Sequence, residues 1–205
     1  MKNCNITGFL GTWALRRAAC VGFFGMAVTC ALPDAAQAQT VTPPSVPAKL
    51  EVPTGNEAFR VGHAFGTQNY VCLPSGADVK FVLFTPQATL FNGGEQVTTH
   101  FFSPNPVEGG VVRATWEDSV DTSFVWARAL ASETVDAKAI TWVLLQTAGT
   151  EVGPTGGDTL AKTTFVQRVN TRGGLAPATG CSLPTDIGSK RFVPYKADYF
   201  FYRQN

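Results

Sequence analysis

Two histidines, a few acids and one arginine are the residues of this chain with chemical reach. His63 and His100 are its only histidines. His63 alternates with Phe59, Val61 and Phe65, a period of two that predicts a strand and turns the imidazole into the core or a pocket wall. His100 shares a face with Thr98 and Phe102. Set against a carboxylate such as Asp118 or Asp198, either imidazole could move a proton as a general acid or base. A metal would need three or four ligands. Neither HExxH nor a close His-x-His pair is present, so no metal and no cofactor is expected. Structural hydrogen bonding is the plainer reading of both histidines.

Trp116, Glu117 and Asp118 put an aromatic and two acids together, but strand neighbours face opposite ways, so the acids do not form a ready general acid–base pair. Turn formation is their simpler role. Gln167 and Arg168 interrupt the apolar Phe165, Val166 and Val169, so one of them is expected inside the fold, where an arginine needs a carboxylate or backbone carbonyls. Such an arginine either anchors a buried network or receives an anionic group of a ligand. His63, Tyr70, His100, Trp116, Asp118 and Arg168 are therefore the candidate ligand contacts. No Gly-x-Ser-x-Gly elbow, phosphate loop or dinucleotide fingerprint is present.

The elements that must position these residues read as strands. Apolar positions recur at period two over 59–65, a short continuous apolar run fills 79–84, and further strands are expected over 96–102, 111–116, 123–130, 139–146, 163–170 and 197–203. Pro104, Pro106 and pairs of glycines lie between them, and Asn92-Gly93 marks a tight hairpin. No 12-residue helical stripe appears. Short strands at this spacing predict one all-β domain, an antiparallel sandwich or a barrel.

The N-terminus reads as an export signal. Lys2, Arg16 and Arg17 precede an apolar run of 15 residues (18–32), shorter than the roughly 20 that cross a bilayer. Ala36-Gln37-Ala38 offers the small residues of a cleavage site, with the cut expected between Ala38 and Gln39. No permanent membrane span is expected after cleavage, and the compartment is periplasmic or extracellular. A proline-rich extended tether, 39–53, should then lead into the domain at 54–205. After residue 38 the chain keeps 13 basic and 14 acidic residues, a net charge of about −1 with no basic stripe, which argues against nucleic acid as a partner. Cys72 and Cys181 are the cysteines that survive cleavage, either as a disulfide or as two buried thiols.

Several segments together resemble a known family. Gly62-His63-Ala64-Phe65-Gly66-Thr67-Gln68-Asn69-Tyr70-Val71-Cys72, then Pro86-Gln87-Ala88-Thr89-Leu90-Phe91, then Val166-Gln167-Arg168-Val169-Asn170-Thr171 with Gly180-Cys181, and finally Val193-Pro194-Tyr195-Lys196-Ala197-Asp198-Tyr199 are similar to the domain of unknown function 3455 of bacterial and fungal exported proteins. The resemblance spans nearly all of 50–203. It implies that Cys72 and Cys181 pair, since both fall within its motifs, and it brings no activity or cofactor. The segment after His100 departs from the family pattern. The function expected first is binding, without catalysis, of a small molecule, glycan or envelope component. The alternatives are a hydrolase or isomerase using His63 or His100 with an aspartate, and a structural protein of the envelope.

Overall fold

The computed structural model describes residues 41–205. The export signal, its cut between Ala38 and Gln39, and Cys4, Cys20 and Cys30 lie outside the described residues. Eight strands follow in order: β1 (Asn56–Ser75), β2 (Asp78–Asn92), β3 (Glu95–Asn105), β4 (Val111–Asp118), β5 (Phe124–Glu133), β6 (Trp142–Glu151), β7 (Phe165–Gly173) and β8 (Lys190–Gln204). Each pairs antiparallel with the next, and β8 pairs with β1, so the sheet closes as a barrel. A sandwich is thereby excluded. Closure gives every strand two partners and leaves no edge.

Bulges decide which side chains face inward. β1 is irregular between Ala58 and Arg60 and again between Asn69 and Tyr70, which lets a 20-residue strand wrap the barrel. Past the first bulge Gly62 and Ala64 point inward, and His63 and Phe65 point out. Of the two places expected for His63, the core is excluded: its side chain stands on the outer wall. Phe59 packs on the interior cluster, whereas Val61 joins an outer one, so the apparent single face of alternation is two faces joined by a bulge. The hairpin between β2 and β3 is tight as expected, but its left-handed residues are Gly93 (φ 58°) and Gly94 (φ 90°), with Asn92 opposite Glu95 as the last ladder pair.

The lumen is packed. Trp116, Tyr199, Phe201, Leu90, Val125 and Val166 are essentially inaccessible to solvent. Small residues, Gly62 and Ala64 on β1 and Ala88 on β2, make room for these rings; a Cβ at Gly62 would meet the Leu90 side chain at 2.9 Å. Burying each large ring stabilises the fold by about 3–5 kcal/mol relative to alanine.

The proline-rich segment does not hang free. Its prolines keep it out of the ladder, and a 3-10 turn at Ala48–Leu50 presses it on the outer wall, where Leu50 is completely buried. Val41, Val46 and Val52 pack there with Phe200, Tyr202 and Trp142. Gln167, outward on β7, donates to the Leu50 carbonyl at 2.8 Å and accepts from Tyr202 Oη at 3.0 Å. Cys72 and Cys181 form a disulfide with Cα atoms 5.5 Å apart. Backbone bonds from Cys72 N to Ser189 O and from Gly188 N to Cys72 O, both 2.9 Å, bind the same loop to β1.

Candidate functional site

Of the residues singled out from sequence, five belong to the barrel wall or interior. His100 is buried and stacks on Trp116, with ring centroids 4.3 Å apart and planes 7° from parallel. Burial lowers its pKa to about 3, against the opposing effect of the hydrogen bond to the Thr115 carbonyl, and the Arg168 charge lowers it further. The ring is neutral, and Nδ1 donates to Thr115 O at 2.8 Å. It is a structural histidine.

Trp116 is sealed in the core, and Asp118 closes β4, where its carboxylate shapes the following turn. Asp118 Oδ1 accepts from Val120 N and Asp121 N at 2.8 and 3.0 Å, and Oδ2 lies 2.7 Å from Arg60. Glu117 points the other way. Arg168 is the inward member of its pair, registered between Val143 and Tyr199, and two of its nitrogens donate to the Thr141 carbonyl at 3.2 and 2.9 Å. Tyr70 donates to Gly174 O at 2.6 Å, and burial raises its pKa. These bonds fasten the loops at 140 and 174 over one end of the barrel.

His63 is different. Its side chain is half exposed on the outer wall, and Nδ1 meets Asp198 Oδ1 at 2.6 Å. The other Asp198 oxygen accepts from Asn170 Nδ2 at 2.8 Å. His63 and Asp198 are direct partners in the β1–β8 ladder, whose register fixes the contact. Asn170 reaches it because β7 is irregular between Val169 and Arg172 and Asn170 itself is left-handed (φ 51°), a conformation asparagine tolerates better than most residues. With Nδ1 engaged, Nε2 is left for a ligand. A carboxylate on one nitrogen and a free second nitrogen also suits metal ligation, yet no group of three metal-binding side chains exists among the described residues.

The imidazole lines a groove of about 860 Å3 with Lys196, Arg172 and Phe65. Two further grooves, of about 590 and 460 Å3, also include Phe65. The larger of these two opens where β2 and β3 part: their ladder ends at Ala88 and His100, Pro86 has no N–H to continue it, and Phe102 N turns to Thr85 Oγ1 at 3.0 Å. Registers line up one outward row across five strands, Arg172–Lys196–Phe65–Thr89–Thr99. Lys196 stands 4.7 Å over the Phe65 ring, and neither it nor Arg172 makes an ion pair with a carboxylate among the described residues. Like charges placed opposite each other on a sheet destabilise it.

The family model described as Protein of unknown function (DUF3455) matches residues 53–203. The chain belongs to this family. No match is found among curated proteins or solved structures.

The segments that resemble the DUF3455 pattern converge on this wall: β1 supplies His63 and Phe65, β2 supplies Gln87 and Thr89, β7 supplies Asn170, and β8 supplies Lys196 and Asp198. Sequence reasoning reached His63 and named Asp198 as a possible partner. Phe65 alternates in the sequence like an inward apolar position, and Arg172, Thr89 and Thr99 carry no sequence signal of a site. Lys196 does carry one, in the Tyr195-Lys196-Ala197-Asp198-Tyr199 alternation, which places both charged residues on the face opposite two tyrosines.

Proposed function

We propose that this DUF3455 domain is an exported binding module whose outer-wall groove takes a small ligand bearing an anionic group. The pairing of Lys196 with Arg172 carries this reading: they are adjacent cations in a groove that Lys138 also lines, neither makes an ion pair among the described residues, and of the two carboxylates in the same groove, Asp136 and Asp198, the second is engaged by His63 and Asn170. The fold would be more stable with a neutral residue at either position, whereas an anion would engage both with charge-assisted hydrogen bonds. His63 Nε2 adds a third polar contact, oriented by Asp198 and Asn170. Titrating the labelled protein with phosphate, sulfate and citrate, followed by amide shifts, tests the reading. Shifts should gather at His63, Phe65, Arg172 and Lys196 and vanish in Lys196→Gln; shifts scattered over the surface would refute it. Export rests on the N-terminal pattern and agrees with an oxidised Cys72–Cys181 pair. N-terminal sequencing of the native protein should begin at Gln39, and an intact Met1 would contradict export.

The 2.6 Å contact of His63 with Asp198 favours a second reading, hydrolysis with His63 Nε2 as general base for a water. Asp198→Asn would then abolish turnover of a cleaved substrate while ligand binding persists. Identical product yields from the native and Asp198→Asn proteins would dismiss it.

A further inference from the structure

We infer that the ligand of this groove is a linear acidic saccharide lying across the strands, an assignment that rests on the anion-binding reading above and narrows it. The two ends of the outward row differ in chemistry. At β7 and β8 stand Arg172 and Lys196, donors suited to a carboxylate or sulfate. From β1 onward the row is neutral: Phe65, then Thr89 and Thr99, with Gln87 beside them in the same groove. Phe65 is 49% exposed even though its ring meets Phe91 edge-on, with centroids 6.2 Å apart, and carries the Lys196 ammonium 4.7 Å over it. A ring flanked by hydroxyl and amide side chains matches a pyranose, which offers an apolar C–H face to the aromatic and hydroxyls of both donor and acceptor kind to Thr and Gln.

Length follows from the ladder. Four inter-strand steps separate Arg172 from Thr99, and at about 4.8 Å each the row spans roughly 19 Å, longer than one sugar ring. Phe65 lines all three grooves, so they are contiguous around it. A ligand with an acidic group at one end and neutral rings along the rest uses the whole row. A polyanion such as nucleic acid would leave its later phosphates on threonines and meet Glu117, the next outward position, opposite Thr99.

Calorimetry on the oxidised protein decides this with three probes: a galacturonate tetrasaccharide, its carboxyl-reduced neutral counterpart, and the galacturonate monomer. The acidic tetrasaccharide should bind about tenfold or more tighter than either of the others, the scale of one charge-assisted hydrogen bond. Arg172→Gln with Lys196→Gln should erase the preference for acid, and Gln87→Ala with Thr99→Val should erase the gain from length, both with melting temperatures near that of the native protein. Equal affinity for monomer and tetramer, equal affinity for the neutral sugar, or tighter binding of a single-stranded DNA oligomer overturns the saccharide assignment. If phosphate still shifts His63 and Lys196 in that case, the anion groove stands without it. If no probe, phosphate included, shifts these residues, both readings fall.

Discussion

His100 and His63 are the same residue type under opposite solvation, and their roles divide accordingly. His100 sits in an aromatic stack where charge is excluded, so the folded protein keeps it neutral while the unfolded chain protonates it near pH 6.5. Its folded-state pKa is depressed. The stability this confers is complete above pH 6.5 and drains away as the pH falls toward 3; about 2 kcal/mol should be gone by pH 5. Asp121 is also held below the usual carboxylate range, because hydrogen bonds from Ser123 and Thr159 outweigh the upward pull of burial, but its contribution is lost only below about pH 4. The interval between pH 7 and pH 5 therefore excludes Asp121, and comparing denaturant melts of the native protein and His100→Gln across it isolates this histidine: the variant should have the flatter slope, and an unchanged slope would show that His100 already ionises in the fold. At the groove the sign reverses. Arg172→Gln removes like-charge repulsion with Lys196 and should raise stability by about 0.2–1 kcal/mol while weakening anion binding. A loss of both would mark Arg172 as an ordinary structural residue.

At the scale of elements, the strands were legible because period-two alternation survives in a closed sheet just as in an open one. What the alternation could not show was the side of the sheet each face occupies. A bulge near Phe59 inverts the pattern, so the face carrying His63 and Phe65 turns outward although it reads as apolar. The buried rows of β1 are recognisable afterwards by small residues, Gly62, Ala64 and Gly66, a signal of close approach rather than of hydrophobicity. A Cβ on Gly66 would run into the Gln87 carbonyl and Ala88. Gly66→Ala should therefore destabilise the domain by about 1–3 kcal/mol and shift β2, with Gln87 and Thr89 moving away from Phe65. A melt within error of the native one would mean that β2 yields freely. The proline-rich segment was legible as extended but not as packed, since Val41, Val46, Leu50 and Val52 are too sparse to give a period. Leu50→Ala should cost about 2–5 kcal/mol in denaturant titration. Full stability without residues 41–53 would show instead that the outer cluster contributes nothing.

Across the whole molecule, the ladder that closes the barrel joins the chain's extremes: His63 and Asp198, its central partners, are 135 residues apart. Closing so long a loop is costly in chain entropy, and the same ladder holds the groove together, so the site exists only once the barrel has shut. The Cys72–Cys181 bridge bears directly on that cost. It links β1 to the loop that leads into β8 across 109 residues, shortening the unfolded chain's freedom over most of the distance the β1–β8 pairing must span. A loop of this length corresponds to about 4–5 kcal/mol in the chain-entropy account, against a total stability of about 5–15 kcal/mol for an ordinary domain. Reduction, or Cys72→Ser with Cys181→Ser, should therefore lower the denaturation midpoint strongly and slow refolding, since β8 must find β1 without a covalent guide. The groove itself lies away from the bridge, on the strand segments around His63 and Lys196, so under native conditions the reduced, still-folded fraction should bind anions with unchanged affinity. Equal midpoints with and without reductant would refute the stabilising role. A fall in affinity that outruns the unfolded fraction would instead make the bridge part of the site.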